Sequence, residues 1–400
     1  MPRREYRSGS VYQRKADGKW VGTLEAGWTV DGTRRRVAVV AKTEAQAKRK
    51  LRDKRRQIDE GAGATTGRTT VRTWAQEWLA QKQTTLRPKA YRAAASPTNR
   101  WIIPTIGHKR LTDLTPGDVR AVQTAQRNAG RKAATAAATH RVLLNMLRGA
   151  QTEGHTVPLP VLSVRAPKPD PSDRLGMTVP EGLACIETAA TLDHGTRWLV
   201  TLLYGMRQGE CLGLTWDAID LDAGAYGELR IEWQLQALPY LDRKNKARGF
   251  AVPDGFERRH LVDAWHLTRP KSRAGWRVAP LLEPVRDALL KWQQIAPENP
   301  WGLVWPTAGG RPANGRRDEE EWYALQATAG VSHPTSPRAY YVHETRNFAA
   351  TMLLEAGVPE HVVTDLLGHS TLATSLRYRT VRREPLYEAL ARVGERLQLH

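Results

Sequence analysis

Cysteine is nearly absent from this chain: Cys185 and Cys211 are the only two in 400 residues. Both sit inside apolar helical patterns, which excludes a disulfide framework and predicts a buried, reduced pair. Long apolar runs are missing too. No stretch of 18 apolar residues occurs, and the opening "MPRREYRSGS" has no apolar signal core, so neither a membrane span nor a leader is expected and the protein is read as cytoplasmic. Acidic residues are outnumbered, 41 Asp+Glu against 61 Lys+Arg, for a formal charge of +20. A chain this basic calls for a polyanionic partner, most commonly nucleic acid; the plainer alternative is a merely soluble basic surface. Lysine itself is scarce, 15 against 46 arginines, which fits a GC-rich genome. Phenylalanine is rarer still at three, but 14 Trp and 40% hydrophobic residues supply material for cores. Four hundred residues point to two or three domains rather than one.

Three segments follow in order. Residues 1–60 carry 17 Lys+Arg and 8 Asp+Glu, hence +9. Within them "GSVYQRKADGKWVGTLEAGWTVDGTRRRVAVVAKT" alternates apolar and polar residues between Asp17-Gly18 and Asp31-Gly32, which predicts a three-stranded antiparallel sheet with two tight hairpins. The next stretch, "EAQAKRKLRDKRRQID", reads as a very basic helix, suited to a DNA groove or phosphate backbone and otherwise a solvated charged face. After the linker "GAGATTGRTT", four helical patterns run to about residue 165; Thr115-Pro116 with Asp118 marks one helix start. A proline-rich stretch, "VRAPKPDPSDRLGMTVP", ends that segment. The third segment opens with helices, passes through a strand-like "AYGELRIEWQL" and an insertion over residues 236–262, and then "DAWHLTRPKSRAGWRVAPL" reads as a hairpin turning at Arg273-Ala274-Gly275. The expected class is multidomain and mainly α with small β-sheets, its last domain mixed α+β.

Chemistry concentrates in the third segment. "YGMRQGECLGL" places Arg207 and Glu210 on one helical face, and "HETRNFAATMLLEAG" does the same for His343 and Arg346. "LLGHSTLATSLRYRT" sets His369 after a glycine and Tyr378 nine residues later. Taken singly, each has an ordinary structural reading: an ion pair, a helix-start histidine, a turn histidine, a half-buried phenol. A metal site fits poorly, because His343 has a cation for a neighbour and His260, His266 and Asp263 lack further ligands. Together the set can do phosphoryl chemistry. Two guanidiniums can clamp the non-bridging oxygens of a phosphodiester and stay charged at any working pH. A tyrosine attacking phosphorus must lose a proton with an ordinary pKa of ~10; nearby arginine eases that loss, and a histidine can take the proton. A lysine can protonate the leaving oxygen, and no metal is required.

These motifs resemble the tyrosine recombinases, or phage integrases: Arg-x-x-Glu within "GMRQGE", a hairpin lysine, His-x-x-Arg, Gly-His-Ser, and a tyrosine nine residues after that histidine. The resemblance is specific over 203–221 and 340–380. It implies an arm-type DNA-binding domain at 1–65, a helical, SAM-like core-binding domain at 68–168 and a catalytic domain at 176–400. It further implies that Tyr378 attacks the scissile phosphate to give a 3′-phosphotyrosyl link. Arg207 and Arg346 would hold the non-bridging oxygens, with Glu210 orienting Arg207. His343 would manage protons near the nucleophile, and His369 would donate to the phosphate. Lys271 would protonate the leaving 5′-oxygen, with Lys244 and Lys246 as rivals; Tyr340, Tyr341 and Tyr387 are rival phenols without the histidine spacing. No cofactor is implied. The implied partners are double-stranded DNA at attachment sites, three further copies of the chain in a synaptic tetramer, and a host bending factor or an excisionase, with the protein at the nucleoid. A type IB topoisomerase would share the chemistry, and a non-catalytic DNA-binding regulator would share the charge. Beyond Tyr378, Leu386, Leu390, Val393 and Leu397 follow a helical period after Pro385, an apolar stripe suited to docking on a neighbouring protomer or on the chain's own catalytic domain.

Overall fold

The expected first sheet forms, while the second of its turns, Asp31-Gly32, lies outside the described residues. A computed structural model describes residues 9–28, 33–59, 68–170, 176–223, 227–270 and 276–368. The chain divides into two units, Met1–Asp170 and Pro171–His400. In the first, strands Ser10–Gln13 (β1), Trp20–Trp28 (β2) and Arg34–Ala41 (β3) pair antiparallel in that order. Gly18 takes the left-handed conformation that the first turn needs, with φ +67°. The helix Glu44–Asp59 (α1) lays Ala47 and Leu51 on Val21 and Leu24 of the sheet. Lys48, Arg49, Lys50, Arg52, Lys54 and Arg55 face outward and are exposed. The sheet and α1 thus bury a small core and present a cationic surface.

The remainder of this unit is helical: Val71–Thr85 (α2), Pro88–Pro97 (α3), Ile103–Ile106 (α4), Pro116–Asn128 (α5), Ala133–Thr152 (α6) and Leu159–Leu162 (α7). Trp74, Ile102, Ile106, Leu143, Met146 and Leu147 form its core, and the Trp74 indole donates to the Met146 carbonyl at 2.8 Å, tying α2 to α6. The helix start at Thr115 is as expected: an Asp118 oxygen accepts from the Thr115 amide at 2.9 Å and from its hydroxyl at 2.8 Å. The pattern over residues 90–106, which reads as one helix, is α3, a wide turn at Thr98–Ile102 and α4. Pro97 and Pro104 each remove an amide donor from the ladder there.

In the second unit, helices Val179–Ala190 (α8), Thr196–Tyr204 (α9), Gln208–Leu212 (α10), Glu283–Ile295 (α11), Gly315–Thr328 (α12), Thr345–Glu355 (α13) and Glu360–Leu367 (α14) surround a core with Trp198, Tyr204, Trp322 and Phe348 at its centre. Each such side chain stabilises the fold by about 2–3 kcal/mol. Ile219–Asp220 (β4), Glu228–Ile231 (β5), Gln234–Ala237 (β6), Arg258–Val262 (β7), Trp265–Thr268 (β8) and Arg277–Pro280 (β9) make two antiparallel sheets, ordered β4-β5-β9 and β6-β8-β7. Here the structure departs from a simple hairpin over 263–281. The two flanking strands are present, but β8 pairs with β6 and β9 with β5. The cause lies upstream, where the strand-like stretch breaks at Glu232-Trp233 and gives each half its own partner. The turn at 273–275 lies outside the described residues. Cys185 and Cys211 are buried thiols, as expected, and burial pushes Cys185 up to about 12.

Candidate active site: an arginine cluster around one carboxylate

Arg207 stands at the start of α10 because the chain reverses just before it. Gly205 closes α9 with φ +55°, and a β-carbon there would come within 2.4 Å of Leu367 and 3.1 Å of Ala349. Only glycine meets both demands. Two further glycines, Gly209 and Gly213, let α10 lie directly on β6, since a β-carbon on Gly213 would be 2.4 Å from the Leu235 amide. From the other side the Gln208 amide donates to Gly315 O at 2.7 Å and to Asp318 at 2.8 Å, fixing α10 to the start of α12.

Glu210 is buried and receives two guanidiniums. Arg207 Nη1 donates to Oε1 at 2.6 Å and Arg277 Nη2 to Oε2 at 2.9 Å; the Arg207 amide also donates to Oε2, at 3.1 Å. Burial alone would raise the carboxyl's pKa, but Arg277 first and Arg207 next hold it below the usual range. Arg346, on α13, donates from Nη1 to Gly205 O at 2.7 Å and from Nη2 to Leu367 O. Arg207 Nη2 reaches Gly368 O at 3.4 Å. The C-terminal carbonyls of α14 are thereby gripped by the two predicted arginines, immediately before the chain enters residue 369. Burial, then the charges of Arg207 and Arg277, push the Arg346 guanidinium down to about 9, still protonated at neutral pH. The cluster holds three guanidiniums and one carboxylate, 3 − 1 = +2. Such a set is built for an anion.

The predicted residues fall into three groups. Arg207, Glu210 and Arg346 are brought together. His343 is exposed in the turn Val342–Glu344 that opens α13; that turn is held by Arg338, which clasps Glu344 at 2.8 and 2.9 Å. Lys271, His369 and Tyr378 lie outside the described residues, as do Tyr387 and the stripe from Leu386 to Leu397. On either side of Lys271 the described chain is pinned by ring contacts: Arg269 lies 3.9 Å from the Trp233 ring and 4.2 Å from that of Trp276. Lys244 and Lys246 sit on an exposed finger closed by the Tyr240–Phe250 bridge, with Lys246 over Tyr240 at 5.4 Å.

Among the rival phenols, Tyr340 is buried with its hydroxyl 3.3 Å from Glu181, and burial followed by that carboxylate pushes it up to about 12, the wrong direction for a nucleophile. Tyr341 lies under Arg338. His260 and His266 face each other across β7 and β8 with rings 4.7 Å apart, but the Asp263 carboxylate is taken by Arg311 at 2.5 Å. No metal-holding group of three or more His, Cys, Asp or Glu occurs among the described residues.

Arg277 and Arg338 were not singled out from the sequence. A signal for Arg277 exists: in "RVAP" the inward positions belong to Arg277 and Ala279, while Val278 faces out at 41% exposure. A strand whose charge points in and whose valine points out inverts the usual alternation. Arg338 leaves no such mark.

The phage integrase family model matches residues 243–384, and the model of the phage integrase N-terminal SAM-like domain matches residues 70–125. The chain belongs to the phage integrase family of tyrosine recombinases. An integrase of Saccharopolyspora erythraea is 26% identical to this family member over 91% of each chain. One from Streptomyces ambofaciens is 23% identical over 94% of this chain and 93% of its own, and the tyrosine recombinase XerC of Mesorhizobium japonicum is 23% identical over 78% and 93%. Among solved structures, the Tn1549 transposon integrase in complex with transposon right end DNA superposes with a TM-score of 0.61 at 15% identity, covering 82% of this chain and 99% of that one. A lambda integrase dimer bound to a core site gives 0.55 at 17% identity, covering 96% and 98%. The recombinase shares their fold.

Proposed function

We propose that this chain is a site-specific DNA recombinase that integrates or excises a mobile element, cutting and rejoining DNA through a 3′-phosphotyrosyl intermediate. In this reading Tyr378 Oη attacks the scissile phosphorus, the P–O5′ bond breaks, and Lys271 protonates the departing 5′-oxygen. Reversal by the 5′-hydroxyl of a partner strand completes the exchange, with no cofactor because the phosphotyrosine keeps the bond energy. Arg207 and Arg346 clamp the non-bridging oxygens, His343 manages the proton near the tyrosine and His369 donates to the phosphate. Residues 1–65 would bind arm-type sites, 68–168 the core site, and 176–400 would carry the chemistry. A lambda integrase tetramer has been seen bound to a Holliday junction, and four copies of this chain on two synapsed sites is the matching assembly. A host bending factor or an excisionase would set direction. Among the described residues no helix is long and apolar enough to cross a membrane, in keeping with work on nucleoid DNA in the cytoplasm.

One observation carries the reading: a cluster of net charge +2, buried except at Arg207, whose two predicted arginines hold the backbone that leads into His369 and Tyr378. The test uses nicked duplexes tiled across the DNA flanking the coding sequence. A covalent protein–DNA adduct that maps to Tyr378 is expected, absent in Tyr378→Phe, which should still bind the duplex. An adduct at Tyr341 or Tyr387 would reject the nucleophile, and the absence of any adduct would leave a DNA-binding regulator. Strand exchange between two sites, rather than relaxation of a supercoiled circle, is the expected product and separates recombinase from topoisomerase.

A further inference from the structure

Arg277 is enclosed, its side chain 6% exposed, while Arg207 is 39% exposed. Its hydrogen-bonded tie toward Arg207 runs through Glu210, whose Oε2 it holds at 2.9 Å.

The division of that carboxylate is the informative feature. Carboxylates and guanidiniums prefer two parallel hydrogen bonds, fork to fork. Glu210 and Arg207, three residues apart and already in contact, could adopt that pairing. It would spend a second Arg207 nitrogen inward. The structure shows a single Arg207 side-chain bond to Glu210, through Nη1, while Nη2 turns to Gly368 O. Oε2 is unavailable to the Arg207 side chain because Arg277 and the Arg207 amide occupy it. Arg277 is itself fixed: it lies opposite Ile231 in the β5–β9 register, and the strand's end is locked by Tyr204, whose hydroxyl donates to Pro280 O at 3.1 Å and accepts from the Leu282 amide at 3.0 Å. The strand that leaves residues 271–275 is therefore tied through one carboxylate to the helix that bears Arg207.

We propose that Arg277 is a positioning residue for strand cleavage: by occupying Glu210 Oε2 it confines the Arg207–Glu210 pair to one hydrogen bond and keeps the outer edge of Arg207 turned toward the phosphate. The proposal rests on the reading that Arg207 holds a DNA phosphate. Without Arg277, Glu210 closes on Arg207 with both oxygens, and the arginine turns inward. DNA binding, spread over many phosphates, barely changes; alignment of the scissile one is lost.

The experiment compares the wild type, Arg277→Met and Arg277→Lys on the nicked duplex that traps the wild-type adduct, measuring apparent Kd and single-turnover rate at saturating DNA separately. Arg277→Met should lose about 10–100-fold in rate at saturation with Kd moved by less than about threefold. Its acid limb should shift to higher pH, because Glu210 loses the cation that most lowers its pKa. Arg277→Lys should restore the acid limb, which needs only charge, yet recover the rate incompletely, since an ammonium lacks the fork. In Arg277→Met/Glu210→Met the rate should be no lower than in Glu210→Met alone, as required if the positioning runs through Glu210. A wild-type rate at saturation in Arg277→Met, or additive losses in the double variant, would overturn the proposal while the wild-type adduct leaves the function standing. Should Arg277→Met fail to fold, Arg277→Lys with an unchanged rate has the same force. No adduct from the wild type would overturn the functional reading and this proposal together.

Discussion

Arg346→Lys should lower the single-turnover cleavage rate by about 10²–10³-fold, the usual effect of losing an oriented donor at a reacting centre. Charge is formally conserved by this change, but geometry is not. Arg346 reaches Gly205 O and Leu367 O from two nitrogens of one plane; a lysine presents one nitrogen to a carbonyl or to the phosphate and cannot serve all three. Charge also becomes conditional. The surroundings take the guanidinium down to about 9. A lysine in the same place is lowered by the same burial and the same neighbouring charges, and it starts from a lower ordinary value than arginine. Residual cleavage by the variant should therefore decline at a lower pH than that of the wild type as pH rises, because the cation is lost by deprotonation. Rate–pH profiles of both proteins on the trapping duplex test this. If the Arg346→Lys variant cleaves within about threefold of wild type and follows its pH profile, Arg346 does not grip the phosphate.

Glu210→Met should destabilise the second unit by about 3–5 kcal/mol, the range for removing one partner of a buried ion pair. It removes the carboxylate that Arg207 and Arg277 share, with Arg277 almost wholly buried. For a unit of this size that corresponds to a fall in melting temperature of roughly 6–20 °C. Glu210→Gln, which keeps the shape and one acceptor, should fall between. The pH dependence has a definite sign. Glu210 is held below its ordinary 4.5, so its contribution is complete above that value and is lost only as pH falls through the depressed folded value. The wild type and Glu210→Met should converge in stability at low pH and diverge above it. Melting curves that coincide at neutral pH would mean that the pairs contribute nothing.

Much of this was legible because local chemistry and global fold agree. Asp17-Gly18 gave the first hairpin, the period of "EAQAKRKLRDKRRQID" gave α1 from Glu44 to Asp59, and Thr115-Pro116-x-Asp118 gave a helix start. Arg207 and Glu210 were visible because both lie within one helical turn. Arg277 was not, because 67 residues separate it from Glu210 and only sheet registry brings them together. The division of β5 and β6 between two sheets was hidden for a related reason: nothing in "ELRIEWQL" says which later strand each half will meet. Pairing partners are a property of the whole unit, and periodicity is a property of a window.

The arginine cluster has a consequence for how this protein behaves before it meets DNA. Three like charges around a single opposite one repel, and the proton affinity of Arg346, weakened first by burial, is weakened further by that repulsion. The folded chain is thus a receptor whose own ligand completes its electrostatics, and by linkage any oxyanion that settles against Arg207 and Arg346 raises the apparent stability in proportion to the logarithm of its concentration. A melting temperature for this protein is a joint property of chain and buffer. Phosphate, sulfate and a neutral zwitterion would each report a different molecule.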